Sequence, residues 1–193
     1  MALGEAGKGM SDTQWYCPDA DENGLVTMAV LKRRAAAMNR DEFVAAYPVP
    51  GLLFTYREEE ASGSDPFQEP EDSRVQLLTL TIESAAILRY LNRLMFLSKK
   101  PGNPYPHIIS VGRSPKNDLS IGVETVSKVH GYFAREEAGW CFTDHSSTNG
   151  SQLNGQVLKS GHKYSLRDQD VLKLGLQVML EYLPPAALYD HLR

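Results

Sequence analysis

The chain is poor in cysteine: among its 193 residues only Cys17 and Cys141 occur, far apart. A disulfide framework is therefore excluded, and the reading is two free thiols in a reducing compartment. No apolar run approaches the ~20 residues that span a bilayer. A basic segment followed by an apolar core, the mark of a secretory leader, is also missing at the N-terminus. A cytoplasmic protein without membrane contact is expected. Nor is there an excess of positive charge, since 20 Lys and Arg face 24 Asp and Glu, a net charge of −4. That argues against general nucleic-acid binding, which needs a basic face. The densest basic run, Lys32-Arg33-Arg34, reads as a solvated helix face. The chain has neither internal repeats nor heptads. His145 with Ser146 or Ser147 lacks the G-x-S-x-G elbow of a hydrolase. His107, His130, His145 and His162 lack metal-ligand spacing. No catalysis, metal or cofactor is expected.

What is present is a hydrophobic content of 42%, enough for one ordinary domain with appendages. The first ten residues are Gly-rich and read as a flexible tail. Leu25–Met38 is rich in helix formers. A second short helix, Asp41–Ala46, follows Asn39 and Glu42, which suit a capping box, and it stops at Tyr47-Pro48. Gly51–Tyr56 reads as a strand, and the acidic, Pro-broken stretch Arg57–Asp72 as a loop. Arg74–Ile82 is β-prone. Ala85–Leu97 fits either a helix or a buried strand at Leu94-Met95-Phe96-Leu97, before a turn at Pro101–Pro104.

From His107 onward the pattern becomes short β runs at regular spacing. They are His107–Gly112, Gly131–Arg135, Trp140–Asp144, Gln152–Leu153, Tyr164–Leu166, Val171–Leu174 and Val178–Leu183. Many short strands punctuated by turns indicate an all-β sandwich or barrel. Trp140 and Cys141 read as core residues.

Three turns between these runs carry the chemistry: Val111-Gly112-Arg113-Ser114, Ser127-Lys128-Val129-His130 and Asp144–Ser151. A phosphate group brings about −1.5 to −2 charge and three acceptor oxygens. Its receptor wants a planar guanidinium, a second cation and short hydroxyl donors. Arg113 ends a strand that can aim it, Ser127 and Lys128 share one turn, and Thr148 and Asn149 share another. A loop asparagine donates and accepts at once, and so can bridge a peptide backbone. The set suits a phosphate joined to a peptide. Asn149-Gly150 and Asn154-Gly155 would also serve as hairpin turns in any β protein.

In this order, these residues resemble the forkhead-associated (FHA) domain family, from Ile108 to about Leu183. The likeness rests on Gly112-Arg113, Asn117-Asp118-Leu119, Ser127 to His130, Asp144 and Ser147 ahead of Asn149-Gly150, Asn154-Gly155, and Leu166 through Gly175. It implies a mainly β fold: an FHA-like two-sheet antiparallel β-sandwich with a short N-terminal α-helical extension. The implied division is a flexible tail and helical extension over 1–50, strands and an acidic loop over 51–100, the FHA core over 101–184, and a C-terminal tail over 185–193.

The resemblance further implies a signalling adaptor that binds a phosphothreonine-containing protein or peptide. By position, Arg113 and Ser127 would hold the phosphate, Lys128 would add charge, Thr148 would touch the phosphothreonine, and Asn149 would hold the main chain. Gly112, His130, Gly150, Asn154 and Gly155 would support the site. Three positions depart from the family pattern. Lys128 stands where arginine is commoner, Gly131 where alanine is usual, and Gln169 where glycine is expected. The alternative is an FHA-like assembly module that binds protein without phosphate.

Overall fold

The computed structural model describes residues 17–55 and 86–193. Within them, a seven-stranded sheet faces a five-stranded one. The expected strand Arg74–Ile82 and loop Arg57–Asp72 lie outside the described residues.

The helical extension opens differently from expectation. Leu25–Thr27 is a strand, β1, and the helix α1 begins only at Met28 and runs to Ala37. The reason is pairing: Leu25, Val26 and Thr27 lie against Met95, Leu94 and Arg93. Thr27 then caps the helix, accepting from the Val30 amide. Helix α2, Arg40–Ala46, carries the expected Asn39/Glu42 capping box. Strand β2, Gly51–Thr55, follows. The ambiguous stretch divides in two: residues 86–88 are helical, and Arg93–Phe96 forms strand β3.

The remaining strands are β4 (Ile108–Gly112), β5 (Leu119–Ser120), β6 (Gly131–Glu136), β7 (Gly139–Asp144), β8 (Ser151–Leu153), β9 (Gln156–Val157), β10 (Lys163–Ser165), β11 (Val171–Leu174) and β12 (Val178–Leu183). Residues 185–193, expected as a tail, instead form helix α3 over Pro185–Leu192, with Leu188 and Leu192 buried. Its start, Pro184-Pro185, reads as a break in sequence, yet proline is well suited to the first turn of a helix.

The seven-stranded sheet runs β1-β3-β2-β12-β11-β8-β9 and the five-stranded sheet β10-β7-β6-β4-β5. Among the described residues pairing is antiparallel except between β4 and β5, which are parallel, so the two-sheet antiparallel sandwich carries one parallel pair at its edge. Parallel neighbours usually need a long crossover. Here a short turn suffices because Asp118, just before β5, accepts from the Ser110 amide and hydroxyl on β4. Lys99 completes that buried ion pair at 3.1 Å.

Two cores result. Between the sheets, Phe54, Met95, Leu97, Leu172 and Leu180 meet Ile109, Val111, Phe133, Trp140 and Phe142. On the far side of the larger sheet, Val26, Leu53, Leu94, Phe96 and Leu183 meet Leu31, Ala35, Phe43, Tyr47, Leu188 and Leu192 from the helices. Strands β2 and β3 thus bury both faces, which is why Leu52–Phe54 and Leu94–Leu97 are apolar runs without alternation. By contrast β4 alternates, and Ile108 and Ser110 point away from the core.

Candidate functional site

The three sequence turns converge at one end of the sandwich, and backbone hydrogen bonds fasten them. After β4, the Arg113 amide donates to the Ser127 carbonyl at 2.8 Å, and the Ser114 amide donates to the Lys128 carbonyl at 3.1 Å. Buried Asn117 reinforces this, its side-chain amide donating to the Ser114 carbonyl at 2.9 Å and the Lys128 carbonyl at 2.7 Å. At Gly112 a Cβ would stand 2.6 Å from the Lys128 carbonyl oxygen, so only glycine lets the two turns meet.

The third turn joins through side chains. The Thr148 amide donates to Ser127 Oγ at 2.9 Å, and that hydroxyl lies 3.3 Å from Thr148 Oγ1. Asn149 Nδ2 donates to the Thr125 carbonyl at 2.9 Å. Among the described residues, its side-chain carbonyl and second N–H remain for another partner.

Beneath these turns lies a buried polar centre. His130 Nδ1 accepts from the Ser127 amide at 3.1 Å. Its proton therefore sits on Nε2, which reaches the Gly150 carbonyl at 3.2 Å and Ser151 Oγ at 3.1 Å. Burial pushes this imidazole below its ordinary value, against the opposing pull of Asp144, so it is neutral at physiological pH. Asp144 accepts from Ser147 Oγ at 2.6 Å, the Ser147 amide at 3.0 Å and Ser151 Oγ at 2.5 Å. Burial alone would raise its carboxyl, but these bonds hold it below the usual carboxylate range. Sequence reasoning counted Asp144 and Asn117 in the family likeness but gave them no role in the site. The only local signal is an Asp or Asn whose side chain can reach back to a nearby turn.

Arg113 holds one further surprise. Its Nη1 pairs with Glu124 Oε1 at 3.1 Å, and Glu124 is 74% exposed. Arg113 Nε is buried without a partner among the described residues. Lys128 is in no ion pair among the described residues. The cluster thus offers a half-used guanidinium, an open ammonium, two hydroxyls and an open amide. That inventory fits an anion attached to a backbone.

One supporting turn lies further along the chain. Asn154 and Gly155 close the β8–β9 hairpin with φ of 51° and 82°, the twist-matching geometry of a two-residue turn. Asn154 bonds Asp170 at 2.7 Å and the Val171 amide at 2.8 Å, tying this hairpin to β11. It lies off the cluster of cations. Of the departures from the family pattern, Gly131 starts its strand where the packing leaves no room for a side chain. A Cβ there would stand 2.6 Å from both Phe142 Cζ and the Thr143 carbonyl oxygen. Gln169 keeps the left-handed turn that glycine would make, at φ 64°.

The FHA domain family model matches residues 109–175. The resemblance read from the motifs holds over that stretch, and the fold is a mainly β two-sheet sandwich. Among solved structures, the chain is similar to the FHA domain of an Arabidopsis thaliana hypothetical protein: 19% identity, 70% of this chain and 84% of that one, TM-score 0.44. It is similar to the N-terminal FHA domain of S. cerevisiae Rad53p in complex with a phosphothreonine peptide: 18% identity, 74% and 98% covered, TM-score 0.42. It is also similar to the Slr1951 protein of Synechocystis: 26% identity, 48% and 85% covered, TM-score 0.39. No curated protein matches the chain.

Proposed function

We propose that the loop end of the sandwich binds a phosphothreonine-containing segment of a partner protein. FHA domains are phosphothreonine-peptide-binding modules, and the matched segment contains every residue of the cluster. In this reading Arg113, Ser127 and Lys128 take the phosphate, Thr148 contacts the phosphothreonine, and Asn149 holds the peptide main chain. The observation that carries it is the meeting of Arg113, Lys128, the Ser127–Thr148 hydroxyl pair and Asn149 on three mutually bonded turns. The role is recognition rather than catalysis, that of an adaptor in signalling. Free, buried Cys17 and Cys141 support a reducing compartment such as the cytoplasm. Over 101–184 the domain would be the binding unit, with the helices as its support.

Lysine at position 128 supplies a point charge, not a fork. Arg113 is then the only two-pronged contact in the set, and the affinity rests on it. Arg113→Ala is expected to lower affinity for a phosphothreonine peptide by about 10- to 100-fold, as loss of a charge-assisted contact does. Titration calorimetry against phosphothreonine, phosphoserine and unphosphorylated peptides measures this. Equal binding by that variant would sink the reading. The Arg113–Glu124 pair favours a second reading, in which the arginine is satisfied internally and partners bind without phosphate. Salt separates the two: a phosphate grip weakens with ionic strength and an apolar interface does not.

A further inference from the structure

The exposed outer face of the five-stranded sheet begins where the candidate phosphate turns end. A groove of about 600 Å³ runs across β4 and β6 there. Its floor is Ile108, Ser110 and Tyr132, and its walls are Tyr105 and Val129. Among the described residues, these walls are two of the few large apolar side chains left in water, at 62% and 49% exposure. Water-exposed apolar walls around a groove mark a place for a partner.

The groove is built, not loose. Asn103 on its rim donates to Ser110 Oγ at 3.2 Å and to Asp118 at 2.8 Å. Asp118 also bonds the Lys100 amide at 2.9 Å. The 99–103 segment is thus pinned to the sheet by a buried carboxylate, which holds the wall at Tyr105 in place. The opposite wall belongs to the Ser127–Lys128 turn, fixed by Asn117.

Its charge selects the occupant. Lys116, Lys128 and His145 line the rim, and none of the lining residues is a carboxylate. The two lysines make the rim locally positive, which complements the negative charge of a phosphorylated peptide. Lys128 belongs both to the candidate phosphate turn and to the groove, which makes the two one continuous surface.

We infer that this groove is a second subsite of the same peptide: it seats an aromatic or aliphatic side chain from the segment flanking the phosphothreonine, on the side of Lys128 away from Asn149. The inference rests on the phosphothreonine reading above. Ligands are then acidic phosphopeptides with an apolar anchor a few residues from the phosphate. The cations of the rim contribute through Lys116 to any acidic residue beside that anchor.

The test uses the full chain and phosphothreonine peptides randomised at the flanking positions. Enrichment of large apolar residues at one flank is expected. A Tyr105→Ser, Val129→Ser double variant is expected to lose about 10-fold in affinity for the enriched peptide, the worth of one buried apolar side chain. Its affinity for a phosphothreonine peptide with Gly and Ser flanks stays the same. Both side chains are largely exposed, so an unchanged thermal melt is expected, and amide shifts at Gly131 and Tyr132 on adding the enriched peptide report the site directly. No apolar enrichment, or an affinity for the enriched peptide that the double variant leaves unchanged, would overturn the subsite while leaving the phosphate site standing. Concentration-dependent dimers abolished by the variant would overturn it in favour of self-association. Failure of the wild-type chain to prefer phosphorylated peptides would overturn both readings together.

Discussion

The two sheets of this sandwich turn very different outer faces to the world. Around β1, β3 and β2 of the larger sheet, Leu53, Leu94 and Phe96 lie under the helices with Leu31, Phe43 and Leu188. The corresponding face of the smaller sheet carries Ile108, Ser110 and Tyr132 along an open groove. One face holds the fold together and the other is left free for contact. The strands record the difference. A strand buried on both faces is apolar throughout, and one buried on a single face alternates.

The largest test of that contrast lies in the helical layer. Phe43 is fully buried, with its ring 4.6 Å from Tyr47 and 5.4 Å from Tyr189. Phe43→Ala is expected to destabilise by about 3–5 kcal/mol in denaturant unfolding. Peptide affinity of the folded fraction should not change. Tyr132→Ala, on the open face, is expected to lose no more than about 1 kcal/mol. Similar losses from the two variants would erase the distinction between a structural and a free face.

Acid probes the boundary between scaffold and loops. Burial lowers the His130 imidazole from its ordinary 6.5, so the unfolded chain takes up this proton more readily than the folded one. The stability contribution is therefore complete above pH 6.5 and declines as pH falls from 6.5 toward the lower folded value. The slope is at most about 1.4 kcal/mol per pH unit. The Asp144 carboxyl, also lowered, adds its loss further down, below its ordinary 3.8. Because protonated Nδ1 can no longer accept from Ser127, phosphopeptide affinity should fall together with stability. Unfolding midpoints that stay flat between pH 7 and 5 would contradict this assignment.

Smaller effects sharpen the picture. Gln169 is held at φ 64°, a region that costs a side-chain-bearing residue about 1–2 kcal/mol. Glycine loses part of that gain through its freer unfolded chain. Gln169→Gly should thus stabilise by about 0.5–1 kcal/mol in thermal melts, with binding unaffected. Glu124→Gln is expected to change stability least, by less than about 0.5 kcal/mol, since surface pairs contribute little. It should nevertheless tighten phosphopeptide binding by about 2- to 5-fold, because Arg113 no longer has to exchange one anion for another. Unchanged affinity would show that the pair does not compete with the ligand.

By itself the sequence determined the features that depend on neighbouring residues. The Asn39–Glu42 capping box, the stop at Pro48, the Asn154-Gly155 turn and most strands from β4 to β12 follow from local backbone preference. The order of Arg113, Ser127, Lys128, Thr148 and Asn149 along the chain was equally legible, since motifs are read along one dimension. Tertiary structure alone decided what distant segments do to one another. It drew Leu25–Thr27 out of a helical reading into a sheet with β3, and it set β5 parallel to β4 through Asp118. It folded Pro185–Leu192 onto the N-terminal helices, and placed Glu124 on Arg113 and Asn117 between two turns. These are contacts between residues far apart in sequence, or across a turn whose shape is set elsewhere. Their energies come from burial and hydrogen-bond satisfaction in three dimensions, which no local pattern encodes.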